Sequence, residues 1–443
     1  MNFSFITRRN VFALGSLIVV IVIVVAFIFS PLVSLIPEPE ELEWHHMYGG
    51  SQQDWAYSVQ NTTDGGFILA GVSGSSDITG STNHGGDDIY VIKLDSTGSM
   101  EWQYLYGGSG DDYGYEIHQT SDGGYILIGE SDSSDFLDCT NNGNHDALVL
   151  KLDSAGEVDW VQMYGGNNND LFITLQELPD GGFVVAGESG STDIQDCSNN
   201  GLQDVFIVQL TSEGSIEWQE LYGGGSEDRA LCVRQTADDG LIVFGSSSSD
   251  DLTCANLGDY DFYALRLNTT SGMIWEQLYG GSGREWGFTI LETSDGGYIA
   301  CGLSDSTDIV ACPALGDWDS YIIRIDSDGE LLWQKRYGGS AADLSYVIKA
   351  TDDGFILSGG SWSSDIENCT NHGERDFYIY KIDTDGNLLW QRLYGGSGVD
   401  YSSSFIQIDT DYIIIAGGSG STNLQGVEPH GAWDVYIIKL RLP

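Results

Sequence analysis

Six residues beyond the tyrosine of each of seven Tyr-Gly-Gly triplets stands an acid: Asp54, Asp112, Asp170, Asp228, Glu285, Asp343 and Asp400. Seven carboxylates at one position of a repeating unit, gathered near an axis, would focus a negative potential and attract Ca²⁺ or another cation. An acid at the mouth of a strand also accepts backbone N–H bonds within its own turn, so turn bonding stands beside cation binding. No complete EF-hand loop accompanies the series. DSDGE at 326–330 and DTDGN at 383–387 fit ordinary turns.

Aromatic residues follow several of these acids. Trp55, Tyr113, Trp286 and Tyr401 come next in the chain, where other units carry Leu171, Arg229 and Leu344, and Trp318, Trp362 and Trp433 lie in or beside long polar loops. Rings beside carboxylates suit saccharides, because a ring stacks on the C–H face of a sugar while acids bind its hydroxyls. The same residue types also suit a protein-binding surface, with core filling as the rival.

Other constellations are weaker. His84, His372 and His430 share a loop position, with Cys369 three residues before His372, but Asn142 and Asn200 fill that slot elsewhere and mark it as a polar loop site, so no metal ligand is assigned. Cys139, Cys197, Cys254, Cys312 and Cys369 repeat at a second loop position, and Cys232 and Cys301 lie in strands; which of the seven pair is not fixed by spacing. No Gly-x-Ser-x-Gly elbow, His-Glu-x-x-His or adjacent Cys-Cys occurs, and the sialidase Asp box is absent, so no catalytic residue is assigned. Sequons at Asn61, Asn268 and Asn368 would accept glycans outside the cell.

Charge narrows the partners. With 66 acidic and 17 basic residues the formal net charge is −49, which argues against nucleic acid and anionic lipid surfaces and favours cations, polar polymers and a salt-rich setting.

The elements that must position these residues read out in two parts. Residues 11–29 are nineteen without a charge, and the apolar stretch runs on to 36. That length spans a bilayer, and Arg8 and Arg9 before it keep residues 1–10 cytoplasmic. A single-pass signal anchor over 11–36 and a linker over 37–41 are therefore expected, with everything after them outside the cytoplasm.

Beyond the linker the chain is one sevenfold repeat. Trp44, Trp102, Trp160, Trp218, Trp275, Trp333 and Trp390 stand 58, 58, 58, 57, 58 and 57 residues apart. Each unit reads as four strands with short Asp-x-x-Gly and Asp-Gly-Gly turns and one long polar loop, so residues 42–443 are expected to form an all-β seven-bladed propeller of four-stranded blades. The tryptophans should pack between blades. Because the chain starts on the tryptophan strand and ends on DVYIIKL, the two termini must complete one blade together, which leaves no open edge. Lys93, Lys151, Arg266, Arg324, Lys381 and Lys439 share a strand position. Their expected partners are the Gly-x-x-Asp series Asp88, Asp146, Asp204, Asp261, Asp319, Asp376 and Asp434.

The units LDSTGSMEWQYLYGGSGDD and TSDGGYILIGESDSSD resemble the β-propeller repeat family of bacterial and archaeal secreted and surface proteins, over about residues 42–443. The LD-x-x-G-x-x-x-W portion also resembles the tryptophan-docking turn of quinoprotein propellers, one residue shorter. These resemblances imply a propeller, a cell-surface setting and a tryptophan strand on the outside of each blade, and they imply no particular reaction. With that strand outermost, the strand after YGG lines the axis, and the YGG and long loops share one face where binding is expected. The expected function is a membrane-anchored extracellular binding or scaffold module for a protein or glycan; the alternative is a carbohydrate-active lyase or hydrolase at the central mouth.

Overall fold

The computed structural model describes residues 42–137 and 139–442; the expected anchor and linker lie outside the described residues. The described residues form an all-β propeller of twenty-eight strands, β1 to β28, in seven four-stranded antiparallel sheets. In the first complete blade β2 (Asp54–Asn61) is innermost, followed outward by β3 (Phe67–Ser73), β4 (Asp88–Leu94) and β5 (Met100–Tyr106). Both middle strands are buried along their whole length. That is why FILAGVS and DIYVIKL read as unbroken runs instead of alternating, since each face packs on a neighbouring blade. The outer strand alternates little because only its far end is covered.

The ring closes as the termini require: β1 (Leu42–Tyr48) pairs with β28 (Asp434–Arg441) in one sheet. Each blade is also strapped to the next. The amide that opens each inner strand donates to a carbonyl of the preceding long loop, as in Asp54 N to Trp433 O (3.0 Å) and Asp170 N to His145 O (2.8 Å). The seven repeat tryptophans lie on the outer strands, each partly buried against a core cluster. Trp102 sits over Gly156 of the next blade's turn, whose φ of +84° puts it in the left-handed region, and Tyr106 Oη donates to the Gly156 carbonyl at 2.6 Å.

One expected pairing is corrected. Lys93 Nζ lies 2.8 Å from Asp64 and 2.9 Å from Glu101, Lys151 lies 3.0 Å from Asp122, and Arg266, Arg324 and Lys381 pair with Asp238, Asp295 and Asp353. These partners belong mostly to the Asp-Gly-Gly turns. Asp88 opens β4 at the long-loop face, whereas Lys93 stands five residues along it on the opposite side of the pleat, roughly 16 Å away. Among the described residues Lys439 has no such partner, and it lies over the Tyr412 ring.

Candidate functional site

The acidic series sits inside the wall at the head of the inner strands. Asp54, Asp112, Asp170, Asp228, Glu285, Asp343 and Asp400 are all 0% exposed. Asp54 shows the pattern: Oδ2 accepts from Gly50 N at 2.7 Å and from Ser75 Oγ at 3.0 Å, and Oδ1 accepts from Ser73 Oγ. Register extends the row across the sheet, because Ser73 pairs with Asp54 on one side and with Asp88 on the other. The same acid, serine, acid row recurs in every blade, and Asp88, Asp146, Asp204, Asp261, Asp319, Asp376 and Asp434 are likewise buried.

Between blades the rows meet. A Cβ on Gly107 would lie within 3.0 Å of both Asp88 Oδ1 and Asp112 Oδ2, so the first glycine of the YGG triplet is required where two carboxylates converge. Fourteen acids thus form a closed belt inside the propeller wall. Burial raises Asp146 and Asp204 to about 6 and Asp261 to about 7, with Asp170, Asp228 and Glu285 across the blade boundary adding to it. The outer oxygens Asp88 Oδ1, Asp146 Oδ1, Asp204 Oδ1, Asp261 Oδ1, Asp376 Oδ1 and Asp434 Oδ1 accept no hydrogen bond among the described residues. No group of three or more His, Cys, Asp or Glu side chains among those residues has metal-holding geometry.

The polar loop positions serve this belt. His84 Nδ1 lies 3.2 Å from Asp88 and His372 Nδ1 2.9 Å from Asp376, while their backbone amides donate to the same carboxylates at 2.7 Å. Asn142 does the same for Asp146. The loop cysteines also act locally: Cys139, Cys197 and Cys369 donate from Sγ to the outer-strand carbonyls of Val161, Gln219 and Gln391 at 3.4 to 3.5 Å.

The axis itself is lined by other residues. Each inner strand carries a bulge, between Ala56 and Ser58 in β2 and at the equivalent place in the other six. An extra residue there shifts the alternation, so the residues three and four beyond the acid line the channel in every blade, joined by Gln60, Arg234, Leu291 and Lys349 six beyond it and by Tyr401 one beyond it. They enclose a cavity of about 370 Å³, lined among others by Tyr57, Tyr115, Phe288, Tyr346 and Tyr401.

Most aromatics singled out by sequence gather at the mouth of that channel. Trp55 lies 5.6 Å from both Tyr401 and Trp433, and Tyr57 bridges from Trp55 (6.4 Å) to Tyr115 (5.5 Å), on which Tyr113 stacks at 6.5 Å. Trp362 covers Arg375, whose guanidinium also lies 5.1 Å from the Tyr401 ring centre. Trp286 forms a second group with Tyr260 (5.4 Å) and Arg229 (5.6 Å). Trp318 stands apart at the rim under Arg284, which pairs with Asp305.

Four aromatics went unread in the sequence: Tyr57, Tyr115, Phe288 and Tyr346, all three residues beyond the acid. Their signal was present, since four of seven units carry a ring there, but simple alternation gives no reason to pair that position with its neighbour across the bulge. Arg375 was also missed. It is 8% exposed, donates to Tyr346 Oη at 2.9 Å, and fits because Gly360 has no Cβ to overlap its Nε.

Deeper in the channel stand Glu116, Arg234 and Lys349. Against burial, which alone would raise it, His118 and Arg234 hold Glu116 at about 2; its Oε1 lies 2.9 Å from His118 Nε2 and 3.8 Å from Arg234 Nη2. Burial, then the neighbouring Arg234, lowers the Lys349 ammonium.

No protein-family model matches the chain. It is similar to the regulatory protein FlaEY of Caulobacter vibrioides, 23% identical over 150 residues that span 31% of this chain and 16% of that protein. Among solved structures it is similar to a putative 6-phosphogluconolactonase from Bacteroides fragilis, at 14% identity over 85% of this chain and 99% of the other, with a TM-score of 0.42. Drosophila Plexin A, solved in complex with Semaphorin 1b, is 9% identical over 91% and 88% of the two chains, with a TM-score of 0.44. The likeness to the two solved structures is of fold alone.

Proposed function

We propose that this propeller is a membrane-anchored, outward-facing binding module whose ligand is a saccharide, received end-on at the long-loop mouth of its axis. The observation that carries this reading is the aromatic lining of the channel. Tyr57, Tyr115, Phe288, Tyr346 and Tyr401 line a cavity large enough for a sugar ring or two, with Trp55 packed on Tyr57 beside it and hydroxyls of Tyr57, Ser58, Ser403 and Ser404 among the lining. Aromatic walls offer stacking faces, and the hydroxyls offer donors and acceptors suited to polyols. The anchor and the outward orientation rest on the apolar 11–36 segment and on Arg8 and Arg9 before it.

A protein partner is the second reading, favoured by a separate observation. The long loops expose Leu137 (55%), Leu202 (65%), Leu257 (53%) and Val310 (81%) around the outer rim of the same face. The full-length chain in detergent, applied to a panel of glycans and cell-envelope fractions with calcium and with chelator, tests the proposal. Saturable glycan binding that weakens at least tenfold in Tyr57→Ala supports it, and folded protein that binds no glycan under any condition removes it.

A further inference from the structure

Two cations, Lys349 in the channel lining and Arg375 packed behind its lining residues Tyr346 and Tyr401, form no ion pair among the described residues. Among the described residues no carboxylate lies within ion-pair distance of Arg375 or Lys349, although Arg375 is 8% exposed and its Nε has no hydrogen-bond partner. An uncompensated buried guanidinium is costly unless something pairs with it. The nearest channel acid, Glu116, attracts Lys349 only from beyond ion-pair distance, and both its oxygens are engaged, Oε1 by His118 and Oε2 by the amide of Leu175 at 2.7 Å.

The two cations share one wall. Arg375 donates to Tyr346 Oη at the mouth, and Lys349 stands three residues below Tyr346 on β22 (Asp343–Thr351), about 10 Å deeper by strand rise. Arg234 faces Lys349 from the fourth blade, and Trp362, Tyr401 and Tyr346 surround the guanidinium. By contrast, five of the six repeated strand cations, Lys93, Lys151, Arg266, Arg324 and Lys381, are each paired with a turn carboxylate.

We propose that the channel wall running from Arg375 to Lys349 is an anion subsite for the carboxylates of an acidic saccharide, an oligomer of uronic-acid type. This rests on the saccharide reading above and sharpens it. A guanidinium edge matches a carboxylate in two parallel hydrogen bonds, and the rings around it match the sugar that bears that carboxylate. The strongly acidic exterior repels such a ligand at long range, whereas the pairing inside the channel is sheltered from salt. Affinity should therefore rise as salt is raised from about 10 mM to about 150 mM, opposite to an exposed cation–anion contact.

The test is calorimetric titration of the full-length chain with a uronate oligomer and with the same oligomer after carboxyl reduction. The expected result is at least tenfold tighter binding of the acidic form, a preference erased in Lys349→Gln and in Arg375→Gln. Lys349 is only partly buried, so its variant keeps the test open if Arg375→Gln fails to fold. Equal affinity for the two oligomers would overturn the anion subsite while leaving saccharide binding intact. Channel-dependent binding of other glycans but of neither oligomer would do the same, and binding of no glycan would remove both.

Discussion

Arg336 Nη1 lies 2.9 Å from Asp319 Oδ2, with the two side chains 1% and 0% exposed. The other units place Met47, Leu105, Met163, Leu221, Leu278 and Leu393 at the position of Arg336. A guanidinium has thus entered the carboxylate belt in the fifth blade, the same blade in which Glu285 replaces the repeated aspartate. Its Nη2 also donates to Ser304 Oγ at 2.7 Å and to the Ser306 carbonyl at 2.6 Å.

Arg336→Leu restores the common residue but strands a buried charge. The expected loss is about 3 kcal/mol. Urea unfolding checks it, and a loss below about 1 kcal/mol would show that the belt does not depend on this cation.

In the wild-type chain, pH acts through the same belt. Asp146 and Asp204, raised to about 6, and Asp261, raised to about 7, hold protons in the folded state to higher pH than in the unfolded one. Their stabilisation is complete below about pH 4 and is lost as pH rises through 6 to 7. Against burial, the largest single effect on each, hydrogen bonds and a lysine together hold Asp64 and Asp122 near 2, and they add stability that is constant above about pH 5. The urea midpoint should fall between pH 5 and pH 8, as the unfolding free energy drops by on the order of a few kcal/mol. A midpoint that climbs over that range would contradict the account.

How far the fold was legible depended on which residues repeat. Seven tryptophans at a constant interval, and a final DVYIIKL that needs a tryptophan strand beside it, were enough for blade number and ring closure. The site was legible in part. Trp55, Tyr401 and Trp433 were chosen because they depart from the repeat, and they do meet at the channel mouth. Tyr57 and Tyr115 were not, because a bulge that re-aims a strand leaves no mark on hydrophobic alternation. The lysine series was misassigned for a related reason: opposite charges recur in both rows, and only strand length and pleat separate Lys93 from Asp88.

The turn glycines make a local prediction. Gly156→Ala forces a side chain into a φ of +84° and sets its Cβ about 3 Å from the Trp102 and Tyr104 rings. A loss of about 2 kcal/mol is expected, read as a lower thermal midpoint. Gly123→Ala, with φ +88° and nothing near its Cβ, should cost only the backbone part, about 1 kcal/mol. Equal losses would mean that the tryptophan contact contributes nothing.

Channel and rim can be separated by charge as well. Exposed loop positions such as Val310 and Leu202 should tolerate substitution by aspartate with unchanged unfolding midpoints, whereas Phe288→Asp buries a carboxylate against Tyr346, whose ring centre is 4.8 Å away, and should destabilise by about 3 kcal/mol. Thermal melts of the three variants decide this, and a stable Phe288→Asp would mean that the channel is wetter than its lining implies.

The most direct measurement compares glycan binding by the full-length chain, by Tyr57→Ala and by Val310→Asp on one panel. The account predicts that Tyr57→Ala loses at least tenfold in affinity while Val310→Asp binds as the wild type does. The reverse pattern, binding that survives Tyr57→Ala and fails in Val310→Asp, would contradict it and place recognition on the loop rim.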